Sequence, residues 1–138
     1  MNLKLESASP AETARIAEGL VDKLKGRTVL INGNLGAGKT TFVKAFAKAS
    51  GCTEEGSSPT FTLMQRYKGY VDILHFDLYR LKHFEELDNI GFFETIEENA
   101  TKFIEWAERF HLEDELEDFV TIDIESLGGD KRLLSIKD

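Results

Sequence analysis

Apolar residues follow two different periods on either side of a glycine-rich segment in the first third of the chain. Before that segment, residues 28–31 form a short β-branched and apolar run, which is typical of a buried parallel strand. After it, apolar residues recur with helical spacing and predict one buried face of a helix that ends at Gly51. The residues of that face are Phe42, Ala45, Phe46 and Ala49. A strand, a glycine-rich loop and a helix are therefore expected in this order.

The neighbouring segments predict a short edge strand, a helix and a hairpin. Residues 3–6 alternate between apolar and charged side chains, as in an edge strand. Residues 9–12 have the Ser-Pro-Ala-Glu pattern of a capping box with proline at the first helical position. Two β-rich runs, 60–67 and 70–77, are separated by Lys-Gly, which predicts an antiparallel hairpin.

The second half of the chain predicts one helical region and three more strands. Residues 84–99 are acidic and helical in period, with a break at Gly91. Residues 102–106 resemble a buried strand, and residues 119–125 alternate as a strand that returns through a Gly-Gly turn into residues 132–136. A hairpin directly after the first strand–helix unit implies that the sheet is mixed. We therefore predict a single α/β domain with a mixed parallel and antiparallel sheet flanked by helices.

Composition and charge limit the class of protein. The 138 residues are 41% hydrophobic and 30% charged, as in an ordinary globular protein. No apolar run approaches the roughly 20 residues that a membrane span requires. The single cysteine, Cys52, excludes an internal disulfide, and the N-terminus lacks the layout of a signal peptide, so a cytoplasmic location is expected. The net charge of −8 repels phosphate backbones, so direct binding to nucleic acid is not expected.

The glycine-rich segment has the pattern of a phosphate-binding loop. The spacing Gly33-x-x-x-x-Gly38-Lys39-Thr40 fits the P-loop, and the predicted strand and helix supply the context that this pattern requires. Its glycines let backbone N–H groups face bound phosphates, and the helix N-terminus adds the positive end of its dipole. Lys39 is expected to contact the β- and γ-phosphates, and the Thr40 hydroxyl is expected to bind Mg²⁺. The residues expected to surround the nucleotide are Gly33, Asn34, Leu35, Gly36, Ala37, Gly38, Lys39, Thr40 and Thr41. The fold is therefore predicted to be P-loop NTPase-like.

Two carboxylates are candidates for holding the metal. Asp77 ends the apolar run 73–76, and Glu105 follows Phe103 and Ile104. A lone Asp or Glu is more often a surface carboxylate than part of a site, so each of the two could instead be a surface residue. Ligands of open α/β sheets gather at the carboxyl ends of strands, so both residues are expected near Thr40. The sequence leaves open which of them is the main metal carboxylate.

Other chemical patterns do not support guanine specificity or a metal cluster. Residues 88–91 spell D-x-x-G, but they lie in an acidic helical stretch and are interpreted as a helix end. Residues 101–104 lack the aspartate that reads guanine, because Ile104 takes its place. His75, His83 and His111 have no metal-ligand spacing and are interpreted as structural. Trp106 is expected either in the core or at the mouth of the site.

Four motifs occur in a fixed order along the chain: GNLGAGKTT at 33–41, SPTFTL at 58–63, HFDLYRL at 75–81 and EW at 105–106. In this order they resemble the TsaE family of bacterial ATPases, which takes part in the biosynthesis of threonylcarbamoyladenosine (t6A) in tRNA. The resemblance covers about residues 10–110, and the last three motifs make it more specific than the P-loop alone. This chain departs from the family at Ala107, where proline often follows the tryptophan, and its C-terminal hairpin is short. The resemblance therefore says less about the last strands and the loop at Trp106 than about the phosphate-binding loop.

The resemblance implies a function and roles for individual residues. It implies Mg²⁺-dependent ATP hydrolysis, slow in the isolated chain, in partnership with TsaD-like and TsaB-like proteins that modify adenosine 37 of tRNA. By the same resemblance, Thr40 and Glu105 are expected to bind Mg²⁺. Thr60 is expected to sense the γ-phosphate as a switch residue, and Asp77 to act as a second catalytic carboxylate. Contact with tRNA is expected only through the partner proteins.

Two other functions remain compatible with a P-loop. A small-molecule kinase usually needs cationic lid residues, and the arginines of this chain do not cluster. A non-catalytic switch would bind ATP only to change its interactions. Phosphate release measured with and without partner proteins distinguishes the ATPase from the switch.

Overall fold

Seven strands form one mixed sheet over residues 1–34, 36–52 and 64–138, which are the residues that the computed structural model describes. The strands are β1 (Asn2–Ser7), β2 (Thr28–Asn32), β3 (Met64–Tyr67), β4 (Ile73–Asp77), β5 (Thr101–Glu105), β6 (Val120–Gly128) and β7 (Lys131–Lys137). Their order across the sheet is β1-β7-β6-β2-β5-β4-β3. The four central strands, β6, β2, β5 and β4, are parallel, and β1, β7 and β3 pair antiparallel with their neighbours. The predicted mixed sheet is confirmed.

Helices connect most of the strands along the chain. The helices are α1 (Pro10–Leu24), α2 (Lys39–Ala49), α3 (Glu85–Asn89) and α4 (Phe92–Thr95), followed by short 3₁₀ helices at Ala107–Phe110 and Leu112–Asp114. The predicted start of α1 is confirmed, because the Ser9 side chain accepts a hydrogen bond from the Glu12 amide at 3.1 Å. The Glu12 carboxylate in turn accepts from the Ala8 amide at 2.7 Å, which closes the cap from the other side.

The sheet separates two apolar cores. Side chains alternate between the two faces along β2, so that Val29 and Ile31 join one core and Leu30 joins the other. The first core buries α1 and α2, with Phe42, Phe46 and Phe103 in mutual ring contact. The second core buries α3, α4 and the first 3₁₀ helix against the opposite face. This arrangement puts the start of α2 beside the carboxyl ends of β2 and β5. Within the described ranges, no helix has the length and apolar character to cross a bilayer.

Two predicted elements have different bounds in the structure. The hairpin of β3 and β4 is present, but β4 begins at Ile73, so the connection from β3 is longer than the predicted two residues. This connection packs on the end of α2, where the Tyr70 amide donates to the Ser50 carbonyl at 3.3 Å. The acidic stretch forms two short helices, because Gly91 takes a left-handed conformation (φ 69°) between them. Residues 60–63, at the start of the predicted run 60–67, lie outside the described residues.

Candidate functional site

A cavity of about 300 Å³ lies at the carboxyl ends of the central strands, where α2 begins. The residues that line it are Gly36, Gly38, Lys39, Thr40, Thr41, Asp77, Tyr79, Glu105 and Trp106. They come from the glycine-rich loop, from the first turn of α2 and from the ends of β4 and β5. Ligands of open α/β sheets bind at such an edge, so this cavity is the candidate site.

The backbone of the loop depends on two of its glycines. Gly38 has φ 106° immediately before α2, a left-handed conformation that residues with a Cβ rarely adopt. A Cβ at Gly33 would lie 2.7 Å from the Ile124 carbonyl oxygen of β6, so only glycine fits between the loop and the sheet. Because the first amides of α2 have no acceptor within the helix, the N-terminus of α2 presents N–H donors at the cavity.

The side chain of Lys39 is enclosed at the cavity. Its Nζ lies 3.5 Å from Glu105 Oε1 and 4.4 Å from the centre of the Trp106 ring, and only 5% of the residue is exposed. The ion pair and the cation–π contact fix the ammonium group at the end of β5. A positive charge is therefore held beside the loop, on the side where the helix N-terminus also favours anions.

Glu105 is buried and makes a second strong contact. Its Oε2 lies 2.5 Å from His75 Nε2, on the neighbouring strand β4. Burial acts to raise the pKa of Glu105, but the hydrogen bond and charge of His75 and the charge of Lys39 outweigh it and leave this pKa below its usual range. The carboxylate is therefore kept ionised inside the site.

Asp77 lies next to Glu105 across the β4–β5 pair, but its environment differs. The two residues are opposite each other in the register, and Asp77 is exposed at the rim of the cavity. Asp77 Oδ1 accepts a hydrogen bond from the Tyr79 amide at 3.0 Å. The structure thus brings both predicted carboxylates to one cavity, with Glu105 inside it and Asp77 at its edge.

An aromatic wall closes one side of the cavity. Trp106 has a left-handed conformation (φ 66°) directly after Glu105, which is uncommon for a residue with a side chain. Its ring centre lies 4.9 Å from that of Tyr79. Arg109 donates to the Tyr79 carbonyl and lies over the Tyr79 ring. Trp106 lines the cavity and also packs against the second core, so it meets both predicted positions.

Most of the predicted nucleotide-contacting residues lie together at this cavity. Among the described residues of the loop, Gly33 and Asn34 join β2 to the loop, and Ala37 is buried beneath it. Leu35 and Thr60 lie outside the described residues, so their predicted roles stay predictions.

Two residues without a predicted role in the site contact residues that form it. A structural role is predicted for His75, and the structure adds a contact between its ring and Glu105; its position two residues before Asp77 on the same strand face is a signal for this contact. Arg132 belongs to the predicted C-terminal hairpin, and its guanidinium also contacts the loop backbone. No local pattern indicates that contact, because 95 residues separate Arg132 from Ala37.

Comparisons with known proteins identify the family of this chain. A family model described as "Threonylcarbamoyl adenosine biosynthesis protein TsaE" matches residues 7–134. The chain belongs to the TsaE family. TsaE proteins take part in t6A biosynthesis, so this chain belongs to a tRNA-modification family.

Individual TsaE relatives match over most of their length. The chain is 37% identical to the tRNA threonylcarbamoyladenosine biosynthesis protein TsaE of Treponema pallidum, covering 97% of this chain and 99% of that protein. It is 43% identical to TsaE of Rickettsia conorii, covering 93% of this chain and 74% of that protein. The crystal structure of Bacillus subtilis YdiB superposes with a TM-score of 0.78 at 31% identity, over 99% of this chain and 84% of that one. The predicted α/β P-loop-like fold is therefore confirmed.

Proposed function

We propose that this chain binds ATP with Mg²⁺ and hydrolyses it, slowly when alone, as the ATPase subunit that supports t6A formation at position 37 of tRNA. The observation that carries the proposal is the enclosed ammonium group of Lys39, held between Glu105 and Trp106 at the start of α2. A buried cation, a helix N-terminus and a glycine-rich loop at one cavity are the groups that bind and stabilise the phosphates of a nucleotide.

Each group has a separate part in the proposed reaction. The amides at the start of α2 and Lys39 would hold the β- and γ-phosphates and stabilise the charge that develops on transfer. The Trp106 ring covers the Lys39 ammonium group. Because this cover excludes water, it would strengthen the electrostatic effect of Lys39 on the phosphates. The exposed carboxylate of Asp77 is placed at the rim, where it can orient the attacking water.

The residues at the cavity suit Mg²⁺. Thr40 offers a hydroxyl oxygen, and Glu105 offers a carboxylate that its surroundings keep ionised, which are the hard oxygen donors that Mg²⁺ prefers. Over the described residues, no three His, Cys, Asp or Glu side chains converge as in a protein-only metal site. Mg²⁺ usually binds through one or two carboxylates with phosphate and water oxygens, so Thr40 and Glu105 suffice on the protein side. When bound, the metal would neutralise phosphate charge.

Phosphate release tests the ATPase activity. We expect Mg²⁺-dependent release of phosphate from ATP by the isolated chain, and faster release when TsaD-like and TsaB-like proteins are added. Omitting Mg²⁺ is the control. Failure of the chain to bind ATP would contradict the proposal. ATP-dependent association with the partners without turnover would favour a binding switch, and a phosphorylated small molecule as product would favour a kinase.

We also propose that tRNA is contacted only through the partner proteins. Nucleic-acid affinity depends on lysine and arginine side chains that neutralise phosphates. The net charge of −8 opposes such binding. Fluorescence anisotropy with labelled tRNA, at a salt concentration of about 150 mM, is expected to show no binding by the chain alone. The same titration with the partners present is the positive control. Tight binding of tRNA by the isolated chain would contradict this proposal.

A further inference from the structure

Arg132 connects the phosphate loop to the C-terminal hairpin. Its Nε donates to the Ala37 carbonyl at 2.8 Å, and its Nη2 donates to the Gly36 carbonyl at 3.3 Å. On the other side, Nη1 donates to the carbonyls of Gly129 and Lys131 at 2.7 and 2.9 Å. One planar guanidinium thus joins two carbonyls of the loop to two carbonyls at the β6–β7 turn.

The hairpin gives this connection a firm base. Arg132 pairs with Ser7 of β1 on one side and with Ser126 of β6 on the other, so its backbone is held in the middle of a three-stranded antiparallel segment. The Arg132 side chain also contacts Ser126 Oγ at 3.4 Å. The loop, by contrast, makes a sharp turn through Gly36 and Gly38, both of which have positive φ. Arg132 therefore links a strand-paired segment to a loop whose turn depends on glycine.

Holding the carbonyls determines where the amides face. The C=O and N–H of one planar trans peptide point in opposite directions. In the peptide between Ala37 and Gly38, Arg132 holds the carbonyl, so the Gly38 N–H faces the other way, and Gly38 lines the cavity. In the peptide before it, Arg132 holds the Gly36 carbonyl while the Ala37 amide donates to the Asn34 carbonyl at 3.0 Å. Both peptides of the turn are fixed in this way.

We infer that Arg132 is a positioning residue that holds the phosphate loop in its binding conformation before the nucleotide arrives. Arg132 contacts the loop through the carbonyl oxygens of Gly36 and Ala37, so its action is assigned to the loop backbone. A preorganised set of N–H donors binds an anion better than one that must be ordered on binding. This inference rests on the proposed function, because nucleotide is the ligand whose binding the loop would serve.

Nucleotide affinity is the first test. Calorimetric titration with Mg-ADP is expected to show affinity lower by about 10-fold or more in Arg132→Ala, as when the residues that orient a binding group are removed. Arg132→Lys is expected to bind Mg-ADP almost as weakly as Arg132→Ala, because an ammonium group cannot span carbonyls on both sides as the guanidinium fork does. Lys137→Ala is the matched control, since Lys137 is exposed and lies on the same strand. It is expected to bind Mg-ADP like the wild type.

Two further results are expected if Arg132 positions the loop, and a general contribution of Arg132 to fold stability would not produce them. Added guanidinium ion, compared with sodium at equal ionic strength, is expected to recover part of the affinity of Arg132→Ala by occupying the vacated position. In the nucleotide-free protein, hydrogen exchange of the Ala37 amide is expected to be about 10-fold faster in Arg132→Ala and unchanged in Lys137→Ala.

These measurements separate this inference from the proposed function. Wild-type affinity in a folded Arg132→Ala variant, or unchanged exchange at Ala37, would overturn the positioning role. A loss of affinity that follows global unfolding and is not rescued by guanidinium would also overturn it. If the wild type binds no nucleotide, the proposed function fails, and the exchange experiment alone still decides whether Arg132 orders the loop.

Discussion

Replacing Lys39 by alanine is expected to lower the rate of ATP hydrolysis by about 100-fold or more, as when a group that stabilises transition-state charge is removed from an enclosed site. The ammonium group lies at the start of α2, where both the helix dipole and the loop amides favour phosphate. Nucleotide affinity is expected to fall as well, since Lys39 is the buried cation of the cavity. Phosphate release and calorimetric titration measure the two effects separately.

The fold is expected to survive the same substitution. Lys39→Ala leaves Glu105 with its hydrogen bond to His75, so the carboxylate is not left without a partner. The free energy of unfolding is expected to fall by about 1–2 kcal/mol, well below the cost of isolating a buried charge. Circular dichroism and urea denaturation measure this change. Lys44→Ala is the control, because Lys44 is exposed on the same helix. Wild-type affinity and hydrolysis in Lys39→Ala would disprove the phosphate-loop interpretation.

Local signals in the sequence are sufficient to predict the elements that form the candidate site. The cap at Ser9, the strand before the loop and the helical spacing after it each depend on residues within a few positions of one another. The proximity of Asp77 to Glu105 is also predictable from a general rule, because both residues end parallel strands at the same edge of the sheet. Such features are predictable since short-range chemistry or the parallel topology determines them.

The contacts that were missed depend on packing between distant segments. The β3–β4 connection is longer than predicted because it packs on the end of α2, which a two-residue turn signal does not reveal. His75 meets Glu105 only because β4 and β5 pair in one particular register. Arg132 reaches the loop across the sheet from the last strand. Each contact requires the register of the whole sheet before it can be predicted.

For the proposed Mg²⁺ site, the environments of the two carboxylates favour Glu105 over Asp77 as the main protein ligand. Glu105 is enclosed and is kept ionised by His75 and Lys39, whereas Asp77 is exposed and accepts a hydrogen bond from a backbone amide. Exposed carboxylates lose much of their electrostatic effect to water and salt. A carboxylate inside the cavity is therefore expected to contribute more to holding Mg²⁺ than one at its rim.

Glu105→Gln is accordingly expected to lower Mg²⁺-dependent hydrolysis by about 10- to 100-fold, because the metal loses its anionic protein ligand. Glutamine has nearly the same shape and still has an oxygen that can accept a hydrogen bond from His75, so the change is one of charge more than of packing. Nucleotide affinity is expected to change less, since Lys39 and the loop amides remain. Hydrolysis measured against Mg²⁺ concentration is expected to saturate only at higher metal concentrations than in the wild type.

A variant of Asp77 and a control variant, compared with Glu105→Gln, decide between the two carboxylates. Asp77→Asn is expected to reduce hydrolysis without shifting its dependence on Mg²⁺, because Asp77 is assigned to the attacking water and not to the metal. Glu108→Gln removes an exposed charge three residues beyond Glu105 and is expected to behave like the wild type. If Glu105→Gln keeps full activity while Asp77→Asn shifts the Mg²⁺ dependence, the assignment of the two carboxylates is reversed. The buried network of Glu105, His75 and Lys39 would then serve the stability of the site and not its metal.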